Sequence, residues 1–270
     1  MPELPDLHIF SHNLKKRILH KNIVSVTVYS TRKIDAPALF SEKLTGTGIR
    51  DIIREGKELH FLLDNQNSFG VHLMLSGKLS VVNRHEAEKI NSKVVAFYFE
   101  DGEASNDSAF NAEALVISDY QYLCRVMLNP KPSKVPDALS DTFTGEYFSG
   151  QIKRNARRNI KEVLIDQKII RGIGNAYVDE ILWKANISPE SVAGKIPEEK
   201  IKELFQAVPV MLNDAIRNIQ KISPDIISGE ERSFLKVHNP RKKCTEEGER
   251  IIVKTVASKK TYFTEKQQLF

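Results

Sequence analysis

The residues most able to do chemistry stand at the very start of the chain, Met1-Pro2-Glu3-Leu4-Pro5-Asp6. A small second residue such as proline favours removal of Met1, which would leave Pro2 as a terminal secondary amine. An α-amino group titrates near pH ~8, so part of it is unprotonated at neutral pH and attacks an electrophilic carbon without a separate base. Glu3 places a carboxylate one residue away, and an amine beside an acid/base is what Schiff-base chemistry on a sugar carbon requires. The plainer alternative is that Pro2 and Pro5 only stiffen a chain start ahead of a helix. A second candidate is Gly172-Ile173-Gly174-Asn175, where two conformationally free residues precede a helix start and expose N–H groups able to receive a phosphate, with the Asn175 amide as a further donor. Its alternative is a tight helix-to-helix connection. Lys57 heads a strand, where a solvated lysine is the ordinary outcome, and His72 sits among apolar residues, where a hydrogen-bonded core group is.

These groups need a scaffold, and the sequence supplies two kinds. Leu7, Phe10, Leu14 and Ile18 form one stripe of an amphipathic helix. Strand-like runs follow at Ile23 to Tyr29, Leu59 to Leu63, Val71 to Leu75, Leu79 to Val82, Val94 to Phe99, Leu115 to Ile117 and Leu123 to Leu128, with a polar gap at Asp101 to Asn111 that reads as a surface loop. So many short strands predict a β-sandwich or barrel. The Pro-rich stretch Asn129 to Pro136 ends it, and from Ala138 to about Ile222 the apolar spacing is helical. Two alternating runs, Ile251 to Val256 and Thr261 to Phe263, predict a terminal hairpin. The expected fold is therefore α+β, with divisions at 1–130, 131–233 and 234–270.

Bulk properties are compatible with this. A chain of 270 residues, 41% hydrophobic and 28% charged, is long enough for two domains with real cores. A net charge of +5 suits a polyanionic partner without demanding one. Two cysteines, Cys124 and Cys244, provide neither a disulfide framework nor a complete metal site, and no apolar run reaches the length of a membrane span.

The order of motifs adds a family. The PELPD start resembles the PELPE start of the formamidopyrimidine-DNA glycosylase and endonuclease VIII family, which repairs oxidised bases, with Asp6 where a glutamate is usual. Asp166 to Leu182, running on to Pro189, resembles that family's helix-two-turn-helix signature; His72-Leu73-Met74-Leu75-Ser76-Gly77 resembles its HLGMSG; and Ser118 to Arg125 corresponds to its DPRRFG loop. The resemblance implies Pro2 as nucleophile, Glu3 as general acid/base, and Lys57 and Asn175 as holders of the phosphates beside the lesion. It implies Leu75, Gln121 and Leu123 as the wedge that enters the stack when a base is flipped out, with Gln121 in place of arginine and Leu123 in place of phenylalanine.

At the C-terminus Cys244, Glu247, Thr264 and Gln267 keep the spacing of the family's four-cysteine zinc finger with three cysteines gone. Threonine and glutamine are poor zinc donors, so no zinc and no other cofactor is expected, and the hairpin resembles the zincless finger of some members. Lys259 stands where the finger carries a DNA-contacting arginine. The resemblance as a whole implies a bifunctional DNA glycosylase with apurinic/apyrimidinic (AP) lyase activity and β,δ-elimination. The partner would be damaged double-stranded DNA, bound by an intracellular monomer in the cytoplasm, nucleoid or nucleus, with no membrane involved. Two alternatives stay open: a lesion-binding protein of this fold with weak or no catalysis, and a glycosylase specialised for oxidised pyrimidines or ring-opened purines.

Overall fold

The computed structural model describes residues 1–34, 36–100 and 113–270, so the gap at Asp101 to Asn111 lies outside the described residues. Two compact units emerge. The first comprises Met1–Pro2, Asp6–Pro132 and Ser223–Glu230, the second Glu3–Pro5, Ser133–Ile222 and Glu231–Phe270.

In the first unit the stripe Leu7, Phe10, Leu14 and Ile18 of helix α1 (Leu4–Ile18) is fully buried, while Lys15, Lys16 and Arg17 in its last turn complement the helix dipole. Eight antiparallel strands make one sheet: β1 (Asn22–Val28), β2 (Thr47–Glu55), β3 (Glu58–Leu63), β4 (Ser68–His72), β5 (Gly77–Asn83), β6 (Lys93–Phe99), β7 (Glu113–Asp119) and β8 (Arg125–Leu128), in the order β5-β7-β6-β1-β2-β3-β4-β8. Only two residue pairs, Asn22↔Gly48 and Ile23↔Thr47, join β1 to β2. That weak seam lets the sheet fold over itself. Phe69 of β4 stacks on Phe97 of β6 at 4.5 Å although three strands separate them in the order, and Phe61 stacks on Phe69 at 4.4 Å. Strands facing each other across such an aromatic core are the two layers of a β-sandwich. Short helices α2 (Pro37–Leu44) and α3 (Arg84–Lys89) complete the unit.

Two strand expectations shift. The run Val71 to Leu75 leaves the sheet at His72, because Met74 takes a left-handed φ of 54° and the Gly77 N–H turns back to the Leu73 carbonyl at 2.9 Å. The run from Leu123 begins only at Arg125, since the N–H groups of Leu123 and Cys124 are taken by the Asp119 carboxylate.

The second unit is helical with one hairpin: α4 (Gly145–Arg154), α5 (Ile160–Ile165), α6 (Asn175–Lys184), the 25-residue α7 (Glu198–Ile222), and strands β9 (Ile251–Val256) and β10 (Lys259–Thr264). Ile201, Leu204, Val208, Leu212 and Ala215 give α7 a stripe at three- and four-residue spacing that faces the core, and Tyr177, Ile181 and Leu182 of α6 belong to the same core. The hairpin is part of this unit rather than a separate body. Backbone bonds from Ser188 N to Gln268 O (2.7 Å) and from Val192 N to Phe270 O (3.0 Å) tie the chain end to the segment after α6.

Candidate functional site

The candidate residues divide between the units. In the second unit Glu3 is 4% exposed, and its carboxylate caps α6 from a distance of 173 residues. Ala176 N–H donates to Oε1 at 3.0 Å and Tyr177 N–H to Oε2 at 3.4 Å. A helix start carries unsatisfied N–H groups and partial positive charge, so a carboxylate is stabilised there. The two glycines make room for this approach. A Cβ on Gly174 would fall 2.3 Å from the Glu3 carboxyl carbon, and one on Gly172, at φ +103°, would fall 2.5 Å from Leu4 Cδ1. Two N–H groups in the first turn of α6, those of Ala176 and Tyr177, are thus taken by Glu3. Asn175 Nδ2 donates to the Lys260 carbonyl at 2.9 Å, leaving its buried Oδ1 without a hydrogen-bond partner among the described residues.

Lys259 is exposed at the hairpin tip, paired with Val256 across the two-residue turn Ala257-Ser258, both in left-handed conformation at φ 52° and 58°. Beneath the hairpin lies a cluster the sequence did not announce. The Lys161 ammonium is fully buried, 2.7 Å from Asp179 Oδ1 and 2.6 Å from Thr261 Oγ1. Asp179 Oδ2 meets His238 Nδ1 at 2.7 Å and accepts from Tyr262 N at 2.9 Å. Burial pushes the Lys161 pKa down, and Asp179 opposes that. Neighbouring Glu180 accepts the N–H groups of Lys236, Val237 and His238 at 2.7–2.9 Å; burial raises its pKa against the pull of those bonds. These carboxylates fasten α5, α6, the 236–238 segment and β10 together. A lysine at a helical position gives no sequence signal of such a role.

In the first unit Pro2 is buried, and the Met1 amine pairs with the Glu230 carboxylate. Lys57 follows Gly56 in the two-residue turn between β2 and β3, where Gly56 supplies the positive φ of 60° the turn needs. It is buried to 9% exposure, unlike a solvated surface lysine, and its charge is felt at His72. Burial first, then Lys57 and Arg125, lower the His72 pKa against the opposing pull of Glu58; its Nδ1 accepts the Met74 N–H at 3.2 Å. Leu75 projects from the turn after β4 with 63% exposure, and Gln121 and Leu123 lie exposed on the loop after β7, Leu123 at 38%.

A two-layered β unit and a helical unit with a C-terminal hairpin, α6 of which is capped by Glu3, define an α+β class of protein, and comparison with known proteins gives its family. The family of the formamidopyrimidine-DNA glycosylase N-terminal domain matches residues 1–111, and that of the formamidopyrimidine-DNA glycosylase H2TH domain matches 135–225. The formamidopyrimidine-DNA glycosylase of Carboxydothermus hydrogenoformans is 32% identical over 214 residues, 78% of this chain and 76% of that one. The protein of the same name from Lactococcus lactis is 29% identical over 272 residues, 97% of each chain. A solved structure of MutM in complex with carbocyclic 8-oxo-G containing DNA superposes with a TM-score of 0.83 at 26% identity, covering 99% of this chain and 100% of that one. The chain belongs to the formamidopyrimidine-DNA glycosylase family. Residues 226–270, with the hairpin, lie beyond both family matches.

Proposed function

We propose that this protein is a base-excision-repair DNA glycosylase with AP lyase activity that removes oxidised bases through a Schiff base on Pro2. The observation that carries the reading is the Glu3 carboxylate, buried and fixed at the start of α6 one peptide bond from Pro2. Once Met1 is removed, the Pro2 nitrogen attacks the deoxyribose C1′ and the C1′–base bond breaks with its electron pair leaving on the base; Glu3 takes the proton from the Pro2 nitrogen and delivers it to O4′ as the C1′–O4′ bond opens to the iminium. The resulting iminium acidifies the C2′ proton; its loss expels the 3′ phosphate, and a second elimination expels the 5′ phosphate. Lys57, Asn175 and Lys259 are the proposed phosphate holders, and Leu75, Gln121 and Leu123 the proposed wedge; damaged duplex DNA is the partner. Solved relatives bound to DNA with 8-oxo-G or an abasic site support that partner.

The hairpin is proposed to work without zinc. Of the four positions at finger spacing, Cys244 is exposed, and the Gln267 amide is engaged with backbone, Oε1 accepting from Thr264 N at 2.9 Å and Nε2 donating to Ile187 O at 2.8 Å. That donor set does not fit the metal.

The test is borohydride trapping on duplexes carrying an abasic site or an oxidised base, with Pro2→Gly and Glu3→Gln controls and the protein mass measured to establish that Met1 is gone. A covalent adduct dependent on the Pro2 amine is expected. No adduct on any substrate, from protein lacking Met1, would refute catalysis and leave lesion binding alone.

A further inference from the structure

The loop after β4 and the loop after β7 share one buried anchor. Asp119, the last residue of β7, is 1% exposed, and its carboxylate gathers four donors. Oδ1 accepts from the Ser76 hydroxyl and from Gln121 N at 3.0 Å; Oδ2 accepts from Leu123 N and Cys124 N, both at 2.6 Å. Ser76 is itself buried and lies 3.2 Å from Gln121 Oε1, so its side chain crosses from one loop to the other. The strands below are in register, with Gly77 opposite Asp119, which sets the loops side by side. Burial alone would raise the Asp119 pKa, but the bonds from Ser76, Cys124, Gln121 and Leu123 hold it below the usual carboxylate range, so the anchor is charged at neutral pH.

What the anchor holds up is the reverse of a normal surface. Leu75, Tyr120, Tyr122 and Leu123 are 63, 68, 43 and 38% exposed, on two loops that each bend through a left-handed residue, Met74 and Tyr122. The polar Ser76 and Asp119 are buried while these apolar and aromatic side chains face out. Water does not reward that arrangement, whereas the interior of a base stack does. A side chain driven between stacked bases also needs a backbone that does not yield, and four donors on one buried charge provide it.

We infer that Ser76 and Asp119 are positioning residues that lock the two loops into a single wedge, so that Leu75 on one and Gln121 and Leu123 on the other enter DNA as one body. The inference rests on the proposed function and deepens it. Base flipping then depends on the lock, whereas cleavage at an abasic site in single-stranded DNA, where no base must be extruded, does not need it.

The experiment uses Ser76→Ala, which cuts the tie between the loops and leaves the three backbone bonds to Asp119 in place. Flipping is read from 2-aminopurine fluorescence beside a lesion in duplex DNA, with excision from duplex and AP cleavage of single strands measured in parallel. Expected are flipping at least tenfold slower and a ratio of duplex excision to single-strand cleavage reduced at least tenfold. Leu75→Ala and Leu123→Ala should be non-additive in the parent protein and additive in the Ser76→Ala background. Equal losses on duplex and single strand, or unchanged flipping, would overturn the lock, as would additivity in the parent. The fluorescence arm needs no catalysis. A protein that unstacks 2-aminopurine without cutting would therefore end the glycosylase reading while the Ser76→Ala comparison still decides this one.

Discussion

Replacing Gly174 with alanine tests the cap on which the proposed chemistry depends. Gly174 has φ −125° and ψ −166°, which alanine adopts freely, so any effect comes from the side chain. The new Cβ would lie 2.3 Å from the Glu3 carboxyl carbon and 2.5 Å from both oxygens, far inside contact distance, and the carboxylate must move. Two hydrogen bonds to a charged group are lost, each of order 1.5–3 kcal/mol, although the 3.4 Å bond to Tyr177 N is worth less than the 3.0 Å one to Ala176 N. The displaced carboxylate regains some hydration, which leaves a net cost of about 2 kcal/mol, and two N–H groups of α6 are orphaned. That corresponds to a fall in Tm of about 4–8 °C. Base removal should drop by about 100-fold or more, the scale of a lost general acid, while borohydride trapping on pre-formed abasic DNA persists because the Pro2 amine is untouched. Gly150→Ala is the matched control: it lies within α4 with nothing inside 4 Å of the added Cβ, and should stabilise by up to about 1 kcal/mol. A Gly174→Ala protein as stable and as active on damaged bases as the parent would refute the cap and the role given to Glu3.

Lys161→Met leaves the Asp179 carboxylate buried without its cation and should cost about 3–5 kcal/mol in urea unfolding. Asp119 has a depressed folded pKa, so its stabilisation is present in full above the unfolded value of about 3.9 and is lost as pH falls through the lower folded value. The stability gap between the parent and Asp119→Asn should accordingly stay constant from about pH 5 to 8 and close in stronger acid, as denaturant titrations would show. Addition of a chelator should leave the unfolding midpoint unchanged, and Ser258→Gly should raise the unfolding free energy by about 0.5–1 kcal/mol by relieving one of two non-glycine residues at positive φ in the hairpin turn. Thiol titration of the native protein near pH 8 should count one cysteine, the exposed Cys244, because burial pushes the Cys124 thiol up to about 12; both should react after unfolding.

The sequence was legible where periodicity was regular. The α1 stripe, β1, β3, β5, β6 and the terminal hairpin follow from apolar spacing, and the helical spacing from Ala138 to about Ile222 covers the stretch that holds α4 to α7. Strand β2 escaped because the register slips between Ile49 and Asp51, which breaks the alternation in Thr47–Glu55, and its charged residues look unlike a strand. The return of Ser223–Glu230 to the first unit left no trace in composition. At the site, Pro2 and Glu3 could be singled out from chemistry alone, but nothing local told that Glu3 would cap a helix 173 residues away. Asp119 stood in a segment already singled out, yet a single aspartate does not reveal that four donors will converge on it. The Lys161–Asp179–His238 cluster is dispersed over 78 positions and exists only in three dimensions.

The distance between Glu3 and its helix also has a temporal side. A nascent chain emerges from its N-terminus, at roughly 5–20 residues per second, so about 9–35 s pass between synthesis of Glu3 and synthesis of Ala176. Throughout that interval the amine-bearing end has no fixed acid beside it, and a chain that stalls before α6 never gains one. The Glu3 cap thus forms only after the start of α6 has been made, long after the residue that supplies it.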